Sequence, residues 1–574
     1  MSRTDRNDHD LVTAGEEHHD GAPDMARSGR HRAGRATVGI VGAVVAAAVV
    51  AALTLLPTTS ADSATSSAAV SQLASPKQIE QYCPAQMNLA DTGSYGDSEF
   101  QATTGDIASR TRYVALGSVF HAQVEALSDV DGANATVLSG PTTSTATSDT
   151  EESSSSDDDT AVVASADSQK EATVLDTRIL TADDGTGAAG TLFSWATTGD
   201  IEGVSAAGCT TTALTQTLLV PETSSSTTEQ LVITNPGDRA TTVDIEIHGP
   251  DGDVAMATNS TIAIAAASSA TVDLAAAAGD QSGLYVKLTS SVTPVGAVVR
   301  SIAMDGLTPN GSDFAVPLAS KATGDSAAVQ AIPLGSYDSS SESLTTYLYA
   351  DVDTDVTLKW TGTAGAETAK TVQLAAGKVS VVTLDDAPGW TTGLVATTED
   401  ASTGTSTGDD FSILAKVSKS GDGGQRDFAL VAGSAAAGES AVAVPSDAQA
   451  SVVLVNPTSE AATVTLQPVK ADGTFGTAKS ETIDHESGLS VAVSDLGDDV
   501  AAVRVTTDAS GDDSSATTSA DDDNNNPATV VWGLGLSSKS VSGAGLAGLA
   551  YVASTPLTVS KTTVNAINDP TIVK

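Results

Sequence analysis

From Leu231 to Gly252 the chain reads LVITNPGDRATTVDIEIHGPDG: an apolar run, a break at Asn235-Pro236, then strict alternation of apolar and polar positions. Val452 to Gly473, VVLVNPTSEAATVTLQPVKADG, has the same order 221 positions later without a gap. A period of two puts one face of a strand in a core and the other in water. Val243, Ile245 and Ile247 around Asp244 and Glu246 make such a strand, as do Val464 and Leu466 around Thr465. Val356, Leu358 and Trp360, spaced by Thr357 and Lys359, make a third. Each is preceded by a short run ending in proline: TLLVPE at Pro221, QAIPLG at Pro333 and VAVPSD at Pro445, at intervals of 112 and 112 residues.

The elements that follow also recur in order. First comes a run whose small or polar middle predicts two strands: TIAIAAASSATVDL, TVQLAAGKVSVVTL and TIDHESGLSVAVSDL. GLYVKLTSS is answered by GLVATTED and VAAVRVTTD, and VGAVVRSI by FSILAKVS and ATVVWGLG. DFAVPLAS is answered by DFALVAGS and, more loosely, by GLAYVAS. Short strands at intervals of roughly 8–12 residues, without helical periodicity between them, predict an all-β chain of tandem β-sandwich (Ig-like) domains. The repeats divide as 217–328, 329–440 and 441–574. Residues 78–216 read as a separate β-rich domain with its own acidic loop, SDTEESSSSDDDT. Insertions fall at one point of the repeat, EDASTGTSTGDD in the second copy and DASGDDSSATTSADDDNNNP in the third, as an exposed hairpin end allows.

Asn235-Pro236 and Asn456-Pro457 read as structural turns. Proline cannot donate to a ladder, and asparagine bonds back onto the turn backbone. The middle copy lacks the pair, and no nucleophile recurs beside it.

One run, VGIVGAVVAAAVVAALTLL (38–56), is uncharged over nineteen residues, enough for one membrane crossing. Arg27, Arg30, Arg32 and Arg35 precede it and no basic residue follows in PTTSADSATSSAAVS, which puts residues 1–37 in the cytoplasm as a disordered tail. Residues 57–77 form a Ser/Thr/Ala linker, and everything beyond is extracellular: a single-pass cell-membrane protein carrying a rod of about four domains. The alternative is a signal peptide cleaved near Ala61.

Charge narrows the partners. Lys+Arg 27 against Asp+Glu 72 gives a net charge of −45, which repels nucleic acid. The two cysteines, Cys83 and Cys209, face an oxidising compartment that favours a disulfide; the alternative is two unrelated buried thiols. A bridge would close a loop of about 127 residues and contribute roughly 5 kcal/mol by the chain-entropy estimate.

Chemistry is sparse. His121, His248 and His485 stand at non-equivalent positions, one per domain, and His18-His19 lie in the tail. GAGLAG (543–548), with Asp569 beyond it, matches a dinucleotide-binding glycine pattern but sits between two strands instead of opening a helix. Asp351, Asp353 and Asp355 alternate, and DDDNNN is dense in oxygens, yet neither has the spaced glycine and final glutamate of a calcium loop. No cofactor, metal or catalytic residue is expected. Trp195, Trp360, Trp390 and Trp532 do not recur at matching strand positions, as sugar platforms would.

The order CPA, GVSAAGC, LVITNPGDRATTVDIEIHGPDG and AAASSATVDL resembles an actinobacterial, membrane-anchored cell-envelope family of unknown function with extracellular β-rich repeats. The resemblance covers most of 78–556 and carries no catalytic residues. It implies an envelope role tied to cell-wall or polysaccharide assembly. The expected function is therefore a non-catalytic structural or interaction protein whose partners are other envelope proteins or wall polymers. A carbohydrate-binding protein for envelope glycans is the alternative, with a hydrolase using paired carboxylates behind it.

Overall fold

The computed structural model describes residues 70–74, 77–89, 102–129, 133–141, 161–318, 329–398, 410–508, 529–557 and 562–566. The apolar run 38–56, the tail before it, the linker up to 69 and most of the three acidic loops lie outside them. No helix among the described residues is long and apolar enough to cross a membrane. The described chain is all-β, with antiparallel sheets and only short helical turns such as Leu274–Ala277 and Lys539–Gly543.

Within one compact unit, Ser71–Asn565, four successive stretches repeat one strand order and are called domains I (78–211), II (215–315), III (329–432) and IV (439–557). Eight strands recur in the same order in each, and I, II and IV add one two-residue strand, Thr210–Thr211, Gly252–Asp253 and Thr555–Pro556. One sheet runs first-sixth-third-fourth and the facing sheet runs fifth-second-seventh-eighth. In domain II, Leu231 and Ile233 of the second strand meet Val243, Ile245 and Ile247 of the third and Val286 and Leu288 of the sixth in a fully buried core. The alternating positions thus point inward, and Asp244 and Glu246 stay exposed. The runs with small or polar middles break in two, as at Thr261–Ile264 and Ser268–Asp273.

Domain I, expected to differ from the repeats, has their strand order. Its first strand, Gln78–Cys83, ends at Pro84 just as Thr215–Val220 ends at Pro221. The kinship is hidden in the sequence because insertions stretch the proline spacing here to 137 residues.

The domains do not form a rod. The first strands are Gln78–Cys83, Thr215–Val220, Val329–Pro333 and Glu439–Ala443. The seventh strands are Gly187–Ala196, Gly296–Asp305, Phe411–Ser420 and Val531–Ser538. The first strand of each domain contacts the seventh strand of the next, and that of domain IV contacts the seventh strand of domain I. A head-to-tail contact whose rotation closes makes a ring, here within one chain.

Each seam holds apolar side chains, and between II and III Tyr285 stacks on Tyr349. Tyr82, Leu192, Val232, Val298 and Phe314 join I to II; Val114, Leu116, Ala441 and Ala443 join IV to I; Ala331, Val395, Val455 and Val531 join III to IV. Small residues let the strands approach. A Cβ on Gly296 would lie 2.4 Å from Tyr82 Cβ, so only glycine admits the ring of Tyr82 into domain II.

Candidate functional site

The eighth strands, Gly203–Gly208, Thr308–Ala315, Arg426–Ala432 and Ala550–Ala553, converge at the centre of the ring. Two of them carry the sequence Asp-Phe-Ala, starting at Asp313 and Asp427, and both carboxyls are 0 % exposed. Asp427 Oδ2 accepts from Val204 N of domain I (2.9 Å) and Leu549 N of domain IV (3.2 Å), and Oδ1 accepts from Ser312 N of domain II (3.4 Å). Asp313 Oδ1 accepts from Ala206 N of domain I (3.0 Å), and Oδ2 from Leu430 N of domain III (2.8 Å). Together the pair joins all four domains.

Burial pushes Asp313 up to about 8, against the lowering effect of its N–H donors. Asp427 is raised well above the usual carboxylate range, first by burial, while the neighbouring Asp313 adds to the rise. Two adjacent buried carboxyls with raised values resemble an acid-base dyad. A dyad must touch solvent and substrate, however, and these groups are sealed and bound to backbone N–H groups. Their arrangement makes them cross-domain ties.

Other seams carry polar ties of the same kind. Glu222, just after Pro221, accepts from Lys416 Nζ (3.0 Å) and Tyr347 Oη (2.9 Å) of domain III. Burial raises Glu222, but Lys416, the backbone and Tyr347 together offset it and the net shift is downward. Glu229, fully buried nearby, accepts from Ser301 Oγ at 2.7 Å and is raised by desolvation. Arg110 of domain I meets Asp447 of domain IV at 2.8 Å with Trp195 beneath its guanidinium.

The cysteines are bonded. Cys83 and Cys209 tie the first strand of domain I to the end of its eighth, buried against Tyr113 and Leu175. Asn235 closes the second strand of domain II. Its Nδ2 donates to Arg239 O (2.7 Å) and Ala265 O (3.0 Å), and its Oδ1 accepts from Gly237 N (3.1 Å) and Thr293 Oγ1 (2.8 Å). Asn456 repeats this in domain IV with Glu460 O, Asp484 O and Thr458. Pro236 and Pro457 follow as the chain turns toward the third strand.

The remaining candidates do not converge. His121, His248 and His485 lie in domains I, II and IV, and His248 pairs with Asp253 at 2.8 Å. Tyr349 Oη donates to Asp351 (3.1 Å), and Asp353 accepts from Ala376 N (2.7 Å). Among the described residues no group of three His, Cys, Asp or Glu could hold a metal ion. GAGLAG starts at the last residue of a helix, Lys539–Gly543, instead of opening one.

One concave feature is large. A cleft of about 770 Å³ lies between domains III and IV beside Arg112 of domain I. Val431, Val453 and Tyr551 lie in its buried wall, and Ser336, Ser446, Ser494 and Ser537 line it as well. Its acids are mostly engaged: Glu342 pairs with Lys419 (3.1 Å) and Asp447 with Arg110. The central aspartates escape sequence reading because nothing local separates them from the many surface acids. The only signal is the shared Asp-Phe-Ala at the last strand of two copies.

Residues 162–494, more than half of the chain, match DUF5719, described as a family of unknown function. No curated protein and no solved structure matches.

Proposed function

Given that the chain belongs to this family of unknown function, DUF5719, we propose that it is a non-catalytic, membrane-anchored structural or interaction protein of the bacterial cell envelope. The observation that carries this reading is the ring itself. Four domains close on one another, and the buried polar groups at their seams serve interdomain bonds. In this reading residues 38–56 are the single membrane crossing, the domains are Ig-like sandwiches and the ring stands outside the cell in an actinobacterial envelope. The disulfide supports an oxidising location, and the net charge of −45 keeps the ring soluble and away from nucleic acid. The ring holds, spaces or presents wall polymers or other envelope proteins during wall or polysaccharide assembly.

Photo-cross-linkers placed on exposed faces of each domain in intact cells test this, together with protease shaving. Shaving from outside and adducts with envelope proteins or wall fragments are expected. A chain shielded inside the cell, or one that leaves every exposed position without an adduct, would sink the proposal.

A second reading, binding of envelope glycans, draws on the serine-lined cleft between domains III and IV. Burial of Trp360 and Trp532 in cores weighs against it, since sugars stack on exposed rings. Retention of the protein on purified envelope polymers, lost on filling the cleft with Ser446→Trp, would favour this reading over the first.

A further inference from the structure

Three of the four seams are packed shut and one is open. In domain II the face that receives domain I pairs Val232 with Val298, Gln230 with Arg300 and Thr228 with Ile302, and Tyr82 packs onto it. Tyr347, Tyr349 and Phe428 fill the seam between II and III, and Val469, Phe475 and Leu557 that between IV and I. Domain IV, aligned with domain II at the spacing of 221 residues, pairs Val453 with Gly533, Ser451 with Gly535 and Gln449 with Ser537. Glycine and serine thus stand where domain II has valine, arginine and isoleucine, and the cleft of about 770 Å³ opens there. Small-ligand sites have volumes of roughly 300–1,000 Å³.

Two polar groups at this cleft lack partners among the described residues. Tyr551 is 8 % exposed and its Oη bonds to nothing, and Arg112 Nε is sealed without an acceptor. Buried groups of this kind cost free energy until something completes them. Arg110, two residues earlier on the same strand face, holds Asp447 at 2.8 Å and Asp167 at 3.3 Å, whereas no described carboxylate pairs with Arg112. Acids outnumber cations 72 to 27 in the chain, so an unpaired arginine is an exception. Around the cleft the signs are even: Arg110, Arg112, Lys419 and Lys539 stand with Asp167, Glu342, Asp447 and Asp499. Arg110 and Lys419 engage three of those acids, which leaves Arg112 and Lys539 with Asp499 alone.

That inventory selects the ligand. An incoming acid has a guanidinium to fork onto, and Ser446, Ser494 and Ser537 offer hydroxyls beside it. The one ring among the lining residues, Tyr551, is buried, so a neutral sugar has no face to stack on. We propose that the cleft binds an anionic hydroxylated chain, a sugar or polyol carrying carboxylate or phosphate, whose acid pairs with Arg112 while its hydroxyls bond the cleft serines. The inference rests on the second reading above, in which the cleft takes an envelope glycan, and adds charge as the requirement.

Calorimetry on the full chain in neutral detergent tests this with trigalacturonate, a glycerol phosphate trimer, neutral maltotriose and inorganic phosphate as probes. Trigalacturonate or the glycerol phosphate trimer should bind about tenfold tighter than maltotriose and inorganic phosphate, and which of them does so separates carboxylate from phosphate. Arg112→Gln should cancel that advantage, Arg112→Lys should keep part of it, and Ser446→Trp should block both acidic probes. Matched thermal melts show that the variants fold. Acidic probes that bind Arg112→Gln as well as the native chain overturn the proposal, as does binding that survives Ser446→Trp and so lies elsewhere. Inorganic phosphate bound as tightly as either acidic probe also overturns it, leaving an adventitious ion only. Maltotriose bound as tightly as the acidic probes, and lost with Ser446→Trp, removes the charge requirement and keeps the glycan reading. No probe bound at millimolar concentration overturns the proposal, and retention on purified envelope polymers then decides the glycan reading separately.

Discussion

Gly203 of domain I stands against the Asp427 carboxyl of domain III, so close that a Cβ at 203 would lie 2.6 Å from its carboxyl carbon. The glycine also adopts a φ of 130°, where other residues are strained. The contact brings the next N–H, that of Val204, onto Asp427 Oδ2.

Gly203→Ala should therefore push the tie apart as well as strain the backbone. Overpacking of this kind costs about 1–3 kcal/mol, and the positive φ adds about 1 kcal/mol. The denaturant midpoint should fall with little change in slope. An unchanged midpoint would mean that the centre is loose.

The central aspartates set a pH dependence of definite sign. The unfolded value of an aspartate is near 4, and that of Asp313 in the fold is raised to about 8, with Asp427 raised in the same direction. The folded state thus binds more protons than the unfolded one, and stability falls as pH rises. The contribution is complete below about pH 4 and is lost as pH climbs through about 8. Asp313→Asn keeps a neutral group there and should remove part of this slope, about 2–5 kcal/mol between pH 4 and 8. Urea titrations at several pH values measure it; parallel curves for the two proteins would refute the assignment.

Reduction should unlock domain I before the others. The disulfide spans a sequence separation of 126 residues, for which about 2–5 kcal/mol is expected. Dithiothreitol should lower the melting temperature of the native chain and leave that of the Cys83→Ser, Cys209→Ser double variant unmoved. A reductant effect of equal size on both would contradict a structural bridge.

Asn235 and Asn456 should resist replacement equally, since each ties a strand end to the fourth-to-fifth strand crossover. Alanine removes the donor from the partly buried carbonyls that each asparagine bonds, at about 1–3 kcal/mol for each that water does not reach. Asn235→Asp should be at least as harmful, because it replaces the donors by a buried negative charge. Chemical denaturation of the three variants ranks them, and a neutral Asn456→Ala would argue that water replaces the side chain.

Strand identity was legible in the sequence because it is a local matter. Alternation in VDIEI fixes which face is buried, the prolines at 221, 333 and 445 mark where first strands end, and the alanines and serines of AAASSA mark a crossover. Those signals act over a few residues, and so does the oxygen and amide chemistry that placed Asn235 and Asn456 at strand ends. The closing of four domains into a ring, the kinship of domain I and the burial of Asp313 and Asp427 were decided only by tertiary packing. A carboxyl is a surface solubiliser or a buried tie according to what surrounds it, and Asp427 is surrounded by N–H groups from residues as far as 223 positions away. No local pattern encodes that distance, since it is the shape of the seams, set by glycine and alanine where strands of different domains touch, that brings the donors together.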